Sequence, residues 1–265
     1  LMTVRIAQDL GLKKVLKLSN DLNIYDEIPE LLSVSLGSAE TTLLKITNAY
    51  STFVNGGKKI NSILIERIQD RRGKTIYNSE KRECIGCDKF SEKKVLIPSI
   101  RDNYKQVISK ETAYQILSIL EGTIQRGTGK NLRDLNVPLA GKTGTTNDNY
   151  DAWFIGATSN LIVGVYVGFD NPKTLGKYET GAKVALPIFK NFVRKALYKD
   201  EFKLFAPPEE IFFAAIDYNT GKKVKFSYPK SILEAFKLSD IKKMRNNNLD
   251  KDSNYDSLIK FRQFY

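Results

Sequence analysis

Pro138-Leu139-Ala140-Gly141-Lys142-Thr143-Gly144-Thr145-Thr146 gathers the residue types best suited to chemistry in this chain. Lys142 offers a cation. Thr143, Thr145 and Thr146 offer hydroxyl donors. Gly141 and Gly144 carry no Cβ, so a second backbone or a ligand can approach closely. An apolar lead-in followed by such residues reads as a strand edge that holds a carboxylate-bearing, peptide-like ligand by main-chain hydrogen bonds. Gly141-Lys142-Thr143 also ends like a phosphate-binding G-x-x-x-x-G-K-[ST] loop. That loop would need Gly where Asn136 stands, it would contain Pro138, and Gly144 would fall where its helix begins. The phosphate reading fails on those three positions.

The elements around this stretch are legible from pattern. Upstream, Ser109 caps a helix with Glu111 in its first turn. Ala113, Ile116, Leu117, Leu120 and Ile124 make its buried stripe, and Gly127-Thr128-Gly129 stops it. Downstream, Ala152–Ala157 and Ile162–Gly168 are β-rich runs separated by Thr158-Ser159-Asn160. Together with the Lys142 strand they predict an antiparallel meander. A helix over about Ala182–Leu197 follows, with Pro187 in its first turns.

The spacing at the start of the chain predicts a helix over Leu1–Leu18, broken near Gly11. Asn20–Pro29 reads as a loop and Leu31–Gly37 as a short apolar stretch. Ser38 is the expected cap of a helix over Ala39–Val54, which ends at Asn55-Gly56-Gly57. A hairpin is expected around Asp70-Arg71-Arg72-Gly73. Asn78 to about Gln106 reads as a long polar loop. After Pro207-Pro208, Ile211–Ile216 and the turn Asn219-Thr220-Gly221 suggest an appended hairpin. The expected organisation is therefore 1–205 as the main domain, 206–236 as a small β segment, and 237–265 as a polar, disordered tail.

Composition narrows the chemistry. The chain has 265 residues, 42% of them hydrophobic and 27% charged, an ordinary globular balance. It contains no His, which excludes a His-based triad and His-liganded metal from this chain. No metal site and no cofactor is expected. The net charge of +12 raises the possibility of an anionic polymer partner. The cations are spread without aromatic interleaving, so no nucleic-acid partner is expected. Cys84 and Cys87, in a C-x-x-C within the polar loop, supply half of a structural zinc site. Two readings stay open for them: a short disulfide in an oxidising compartment, or two free thiols. No apolar run is long enough to span a membrane, and no targeting segment is visible.

The longer context resembles the class A penicillin-binding proteins, the bifunctional enzymes that polymerise and cross-link peptidoglycan. The resemblance runs roughly from Leu1 to Ala235. It is carried by Gly127-Thr128-Gly129, by Ala140-Gly141-Lys142-Thr143-Gly144-Thr145-Thr146-Asn147-Asp148, and by Asp151-Ala152-Trp153-Phe154-Ile155-Gly156. Tyr166-Val167-Gly168-Phe169-Asp170, Leu1-Met2-Thr3-Val4-Arg5-Ile6-Ala7-Gln8 and Ser35–Gly57 are similar to the family in the same order. It implies an α/β (α+β) fold, an antiparallel sheet flanked by helices like that of the serine β-lactamases, incomplete at the N-terminus. It implies a D,D-transpeptidase built on three boxes, S-x-x-K, S-x-N and K-T-G, that works through an acyl-serine intermediate. Lys142 then becomes the electrostatic residue. Thr143, Gly144 and Thr145 line the substrate strand, with Thr145 expected at the substrate carboxylate and Thr146 as a further candidate. Trp153 and Phe154 are expected to pack beneath the site. The implied partners are a stem peptide ending in D-Ala-D-Ala and β-lactams. The implied location is the periplasmic face of the inner membrane, with membrane attachment only through an anchor outside this chain.

The other two boxes depart from that pattern. No S-x-N occurs. S-x-x-K occurs at Ser91–Lys94, Ser227–Lys230, Ser239–Lys242 and Ser257–Lys260, of which three follow Lys142 and Ser91 lies in the polar loop. The expectation is that the nucleophile and the S-x-N box lie upstream of Leu1 in a longer protein, and that this chain alone does not catalyse. A non-catalytic remnant and a basic polymer-binding module are the alternatives. If a covering layer is missing from the fold, an exposed apolar surface is expected.

Overall fold

The computed structural model describes residues 1–79, 82–85, 87, 98–196, 203–240 and 258–260. Its centre is a three-stranded antiparallel sheet, β5 (Ala140–Thr145), β6 (Ala152–Ala157) and β7 (Ile162–Val167), in the order β5-β6-β7. The register sets Lys142 opposite Ile155 and Gly144 opposite Trp153, and then Trp153 opposite Tyr166. Alternate residues of a strand point to opposite faces. One face therefore carries Phe154, whose ring meets that of Phe189 at 4.8 Å in α5 (Ala185–Ala196). Phe154, Leu186 and Phe189 are fully buried there with Ile124, Leu132 and Val193. The opposite face carries Gly164, where a side chain would collide with Thr47 and Leu43 of α3 (Leu43–Val54). Helices thus cover both faces of the meander, as the α/β reading expects.

α4 (Lys110–Arg126) links the two halves of the molecule. Ser109 caps it by accepting from the Thr112 amide at 3.2 Å. One side of α4 packs on β5. The other meets the sheet β10-β8-β9, made of β8 (Ile211–Asp217), β9 (Ser231–Lys237) and β10 (Leu258–Lys260). Gln115 donates to the Ala235 carbonyl at 2.9 Å, Lys237 donates to the Thr112 hydroxyl at 2.5 Å, and Tyr114 meets Phe213 edge-on at 6.2 Å. Tyr114, Leu117, Ala140, Phe205, Ile211 and Ala235 form one buried cluster, so the appended hairpin shares core with β5.

The helix break at Gly11 separates α1 (Met2–Leu10) from α2 (Leu12–Asp21). On α1, Met2, Ile6 and Leu10 recur one turn apart and are 64%, 54% and 53% exposed. The stripe lies on a helix, whereas both faces of the β5–β7 meander are covered. The hairpin β1 (Arg67–Gln69) and β2 (Thr75–Asn78) forms where expected, with Asp70 accepting from the Arg72 and Lys74 amides.

Three expectations need correction. Helix α3 starts at Leu43, capped by Thr42 through the Lys45 amide, and not at Ala39 after Ser38. The Ser38 hydroxyl is turned instead to that of Ser33 at 3.0 Å. The polar loop contains an antiparallel pair, β3 (Glu83–Ile85) and β4 (Ser99–Arg101). Within the expected tail, Leu258–Lys260 pairs with Ala214–Phe212. Most of that stretch, like the loop serine Ser91 and Ser257, lies outside the described residues.

Candidate active site

β5 is an edge strand, paired with β6 on one side and with no strand on the other among the described residues. The expected site residues all sit on this strand or directly after it. Strand alternation sends Lys142 and Gly144 to the α3 face and Thr143 and Thr145 to the α5 face, so the open edge is flanked from both sides. The Lys142 ammonium donates to the Thr143 carbonyl at 2.5 Å. The residue is exposed as a whole, while protein surrounds part of its ammonium. That partial burial disfavours the charged form and lowers its pKa from the ordinary lysine value.

Each threonine has a different partner. Thr143 and Thr128 set their hydroxyl oxygens 2.8 Å apart. Thr145 accepts from the Gly181 amide at 3.0 Å. A Cβ on Gly181 would overlap the carbonyl oxygens of Gly144 and Trp153, so the chain entering α5 lies directly on β5 and β6. Thr146 accepts from the Asp151 amide at 2.8 Å and donates its own amide to the Asp151 carbonyl. It closes the β5–β6 connection, which makes it the most structurally committed of the three. Trp153 is half-buried and stacks at 4.6 Å on Tyr166, whose hydroxyl donates to Asp151 at 3.0 Å. Phe154 is the core residue expected; Trp153 is only partly so.

Sequence reasoning missed Thr128 and Gly181. Gly127-Thr128-Gly129 carries a signal, since a hydroxyl between two glycines beside a helix end is unusual for a mere stop. No local signal marks Gly181, whose role comes from long-range packing. The Cα atoms of Cys84 and Cys87 lie 5.7 Å apart, a separation that a disulfide can bridge. Cys84 lies on β3, opposite Ile100 of β4, and Cys87 follows two residues after that strand. None of the hydrogen bonds of β5 reaches Ser227 or Ser239.

A cleft of about 1090 Å³ lies elsewhere. It opens at the Pro138 end of β5 and is lined by Glu121, Lys130, Asp134, Pro138 and Lys190. Lys142 lies four residues further along the strand, ~13 Å at 3.3 Å per residue. An edge that binds an extended peptide presents a shallow groove, so geometry and residue chemistry locate the site better than volume does. No group of His, Cys, Asp and Glu suited to a metal occurs among the described residues, and no helix there is long and apolar enough to cross a membrane.

Comparison with known proteins agrees with this arrangement. The penicillin binding protein transpeptidase domain matches residues 4–194. Penicillin-binding protein 1A of Rickettsia prowazekii is 44% identical over 250 residues, 93% of this chain and 31% of the relative. Penicillin-binding protein 1A of Pseudomonas aeruginosa is 32% identical over 271 residues, 91% of this chain and 33% of the relative. The chain thus spans about a third of the length of these curated relatives. The crystal structure of penicillin-binding protein 1A from Haemophilus influenzae superposes with a TM-score of 0.74 at 28% identity, covering 89% of this chain and 38% of that one. The fold, the order of its motifs and these likenesses together establish that the chain belongs to the penicillin-binding protein transpeptidase family.

Proposed function

We propose that this chain supplies the ligand-holding wall of a D,D-transpeptidase that cross-links peptidoglycan stem peptides and is acylated by β-lactams. The observation that carries the proposal is the open edge of β5, where one cation and two hydroxyls border an unpaired strand. A peptide ending in D-Ala-D-Ala adds to that edge as an extended segment. Its carboxylate meets the Thr145 and Thr143 hydroxyls and the Lys142 ammonium. The Thr145 oxygen already accepts from Gly181, so its own proton is free to donate outward. Lys142 has no carboxylate partner among the described residues and gains one in the ligand, an interaction strengthened by partial burial.

In the reaction, a serine hydroxyl attacks the penultimate D-alanine carbonyl and loses its proton to a neighbouring base. The terminal D-alanine leaves with a proton on its amine. An amine of a second stem peptide then displaces the serine from the acyl-enzyme. Our reading is that this serine comes from outside the chain, because no S-x-N occurs in the sequence and, among the described residues, the bonds of β5 reach neither Ser227 nor Ser239. A Cys84–Cys87 disulfide, which the 5.7 Å Cα separation permits, would fit an oxidising compartment such as the periplasm.

Two measurements test this. N-acetyl-D-alanyl-D-alanine should perturb the Gly144 and Thr145 amide signals more tightly than its C-terminal amide does, and Lys142→Met should abolish that preference. An equal response to acid and amide would overturn the site. A fluorescent penicillin should leave no covalent band on this chain. A band removed by mutating Ser91, Ser227, Ser239 or Ser257 would sink the reading that the nucleophile lies elsewhere.

A further inference from the structure

We infer that Thr128 is a positioning residue for the ligand carboxylate, acting through the Thr143 hydroxyl. The inference rests on the reading of β5 given above and adds a residue to it. The two hydroxyl oxygens are 2.8 Å apart, a normal hydrogen bond. Each hydroxyl has one proton and two lone pairs. Only one of the two protons lies between the oxygens. When Thr128 donates, the Thr143 oxygen is held as acceptor and its own proton points away, toward the open edge. A threonine hydroxyl without this partner rotates, and a bound carboxylate must then fix it.

The structure fixes Thr128 independently of β5. The amides of Gly127 and Gly129 both donate to the Thr123 carbonyl, at 3.0 and 3.1 Å. The tripeptide is thereby folded back over the last turn of α4. Gly129 is buried against Ile124, where a Cβ would collide with the Ile124 side chain. α4 is itself held between the β5 sheet and the β8–β9 hairpin. The Thr128 hydroxyl therefore reaches β5 from a rigid element, which is how a preorganised donor array is built. Thr145 is treated the same way from the other side, by the Gly181 amide. The two hydroxyls of the edge are thus aimed by two separate segments.

The test uses the full chain, titrated by NMR with N-acetyl-D-alanyl-D-alanine and with its C-terminal amide. Thr128→Val should weaken the acid by about threefold to tenfold, since hydrogen bonds to charged groups are the stronger ones. Affinity for the amide should not change. Thr128→Ser keeps the hydroxyl and should restore acid binding. In a Thr143→Val background, Thr128→Val should cost nothing further, because the residue through which it acts is gone. Thr128→Ala serves in the same cycle if Val disturbs the turn. Failure of wild type to prefer the acid would refute the site itself. An intact preference in Thr128→Val, or additive losses in the double variant, would overturn the positioning role alone.

Discussion

Glu121 gives the sharpest test of how this scaffold is built. It lies on α4, half-buried at the cleft beside Ile124, Pro138 and Leu186. Burial raises its pKa from the ordinary 4.5 to about 7. The unfolded chain releases this proton near pH 4.5 and the folded chain keeps it until about pH 7. Between those values the folded state binds more protons, so stability falls as pH rises, and above pH 7 the loss is constant. At about 1.4 kcal/mol per pH unit the full gap corresponds to about 3 kcal/mol. The carboxyl keeps some contact with water, so about 2 kcal/mol is the expected effect. Glu121→Gln keeps the shape and removes the titration. It should match wild type at pH 4.5 and exceed it by about 2 kcal/mol at pH 8. Urea unfolding, followed by the fluorescence of Trp153, the chain's single tryptophan, measures the difference at each pH. Tyr114, whose pKa is raised by burial and then by the Glu121 charge, stays neutral over this range and does not interfere. A difference that is the same at pH 4.5 and pH 8 would refute the reasoning, because only a titrating, desolvated carboxyl makes it pH-dependent.

The other expectations concern the site and its support. Gly181→Ala should push the segment before α5 off β5, break the Gly181–Thr145 bond and lower stability by about 2–4 kcal/mol, with loss of acid-ligand binding in the same titration. An alanine variant as stable as wild type would mean that this segment is not seated on β5. Phe154→Ala, at a fully buried ring, should cost about 3–5 kcal/mol, whereas Asp134→Ala, at an exposed carboxylate paired with Lys190, should shift the melting temperature far less. The acid ligand needs Lys142 protonated, so its affinity should be flat near neutral pH and fall as pH rises through the lowered lysine pKa. Affinity that held constant up to pH 10.5 would show that burial does not perturb this lysine.

Local signals in the sequence carried those elements whose limits are set locally. α4 has its cap at Ser109, its apolar stripe and its glycine stop within one continuous stretch; the cap and stop hold, and of the stripe Ala113, Leu117 and Ile124 are buried while Ile116 and Leu120 are half-buried. The meander is equally local, with short turns between consecutive strands. The start of α3 was not legible, because three nearby hydroxyls compete to cap it. Thr41 donates to the Ile24 carbonyl and Ser38 turns to Ser33, which leaves Thr42 for the Lys45 amide. That choice depends on contacts with residues outside the helix. The β3–β4 pair and β10 escaped for the same reason, since their partners are far along the chain. Tyr114, which the apolar stripe did not include, is buried because it packs in one cluster with Ile211 and Ala235 of the β8–β9 hairpin.

The site shows the same division, and it bears on function. Residue types in Lys142–Thr145 carry the proposal of what the edge holds, but not how its donors are aimed. The aiming comes from Thr128, after α4, and from Gly181, before α5. In the bond to Gly181 the protein supplies the donor, and in the Thr128 pair it does so when Thr128 gives the proton, which leaves the proton of the strand hydroxyl for a ligand. Thr146, by contrast, accepts from Asp151 within the connection that ends the strand, and is drawn toward the fold. The hydroxyls best placed to serve the open edge are therefore those of Thr143 and Thr145. With Lys142 they form a wall in which each polar group already has one protein partner and keeps donor capacity for a carboxylate. Such a wall can bind and orient a peptide end without itself performing the bond-breaking step, which is the role proposed for this chain.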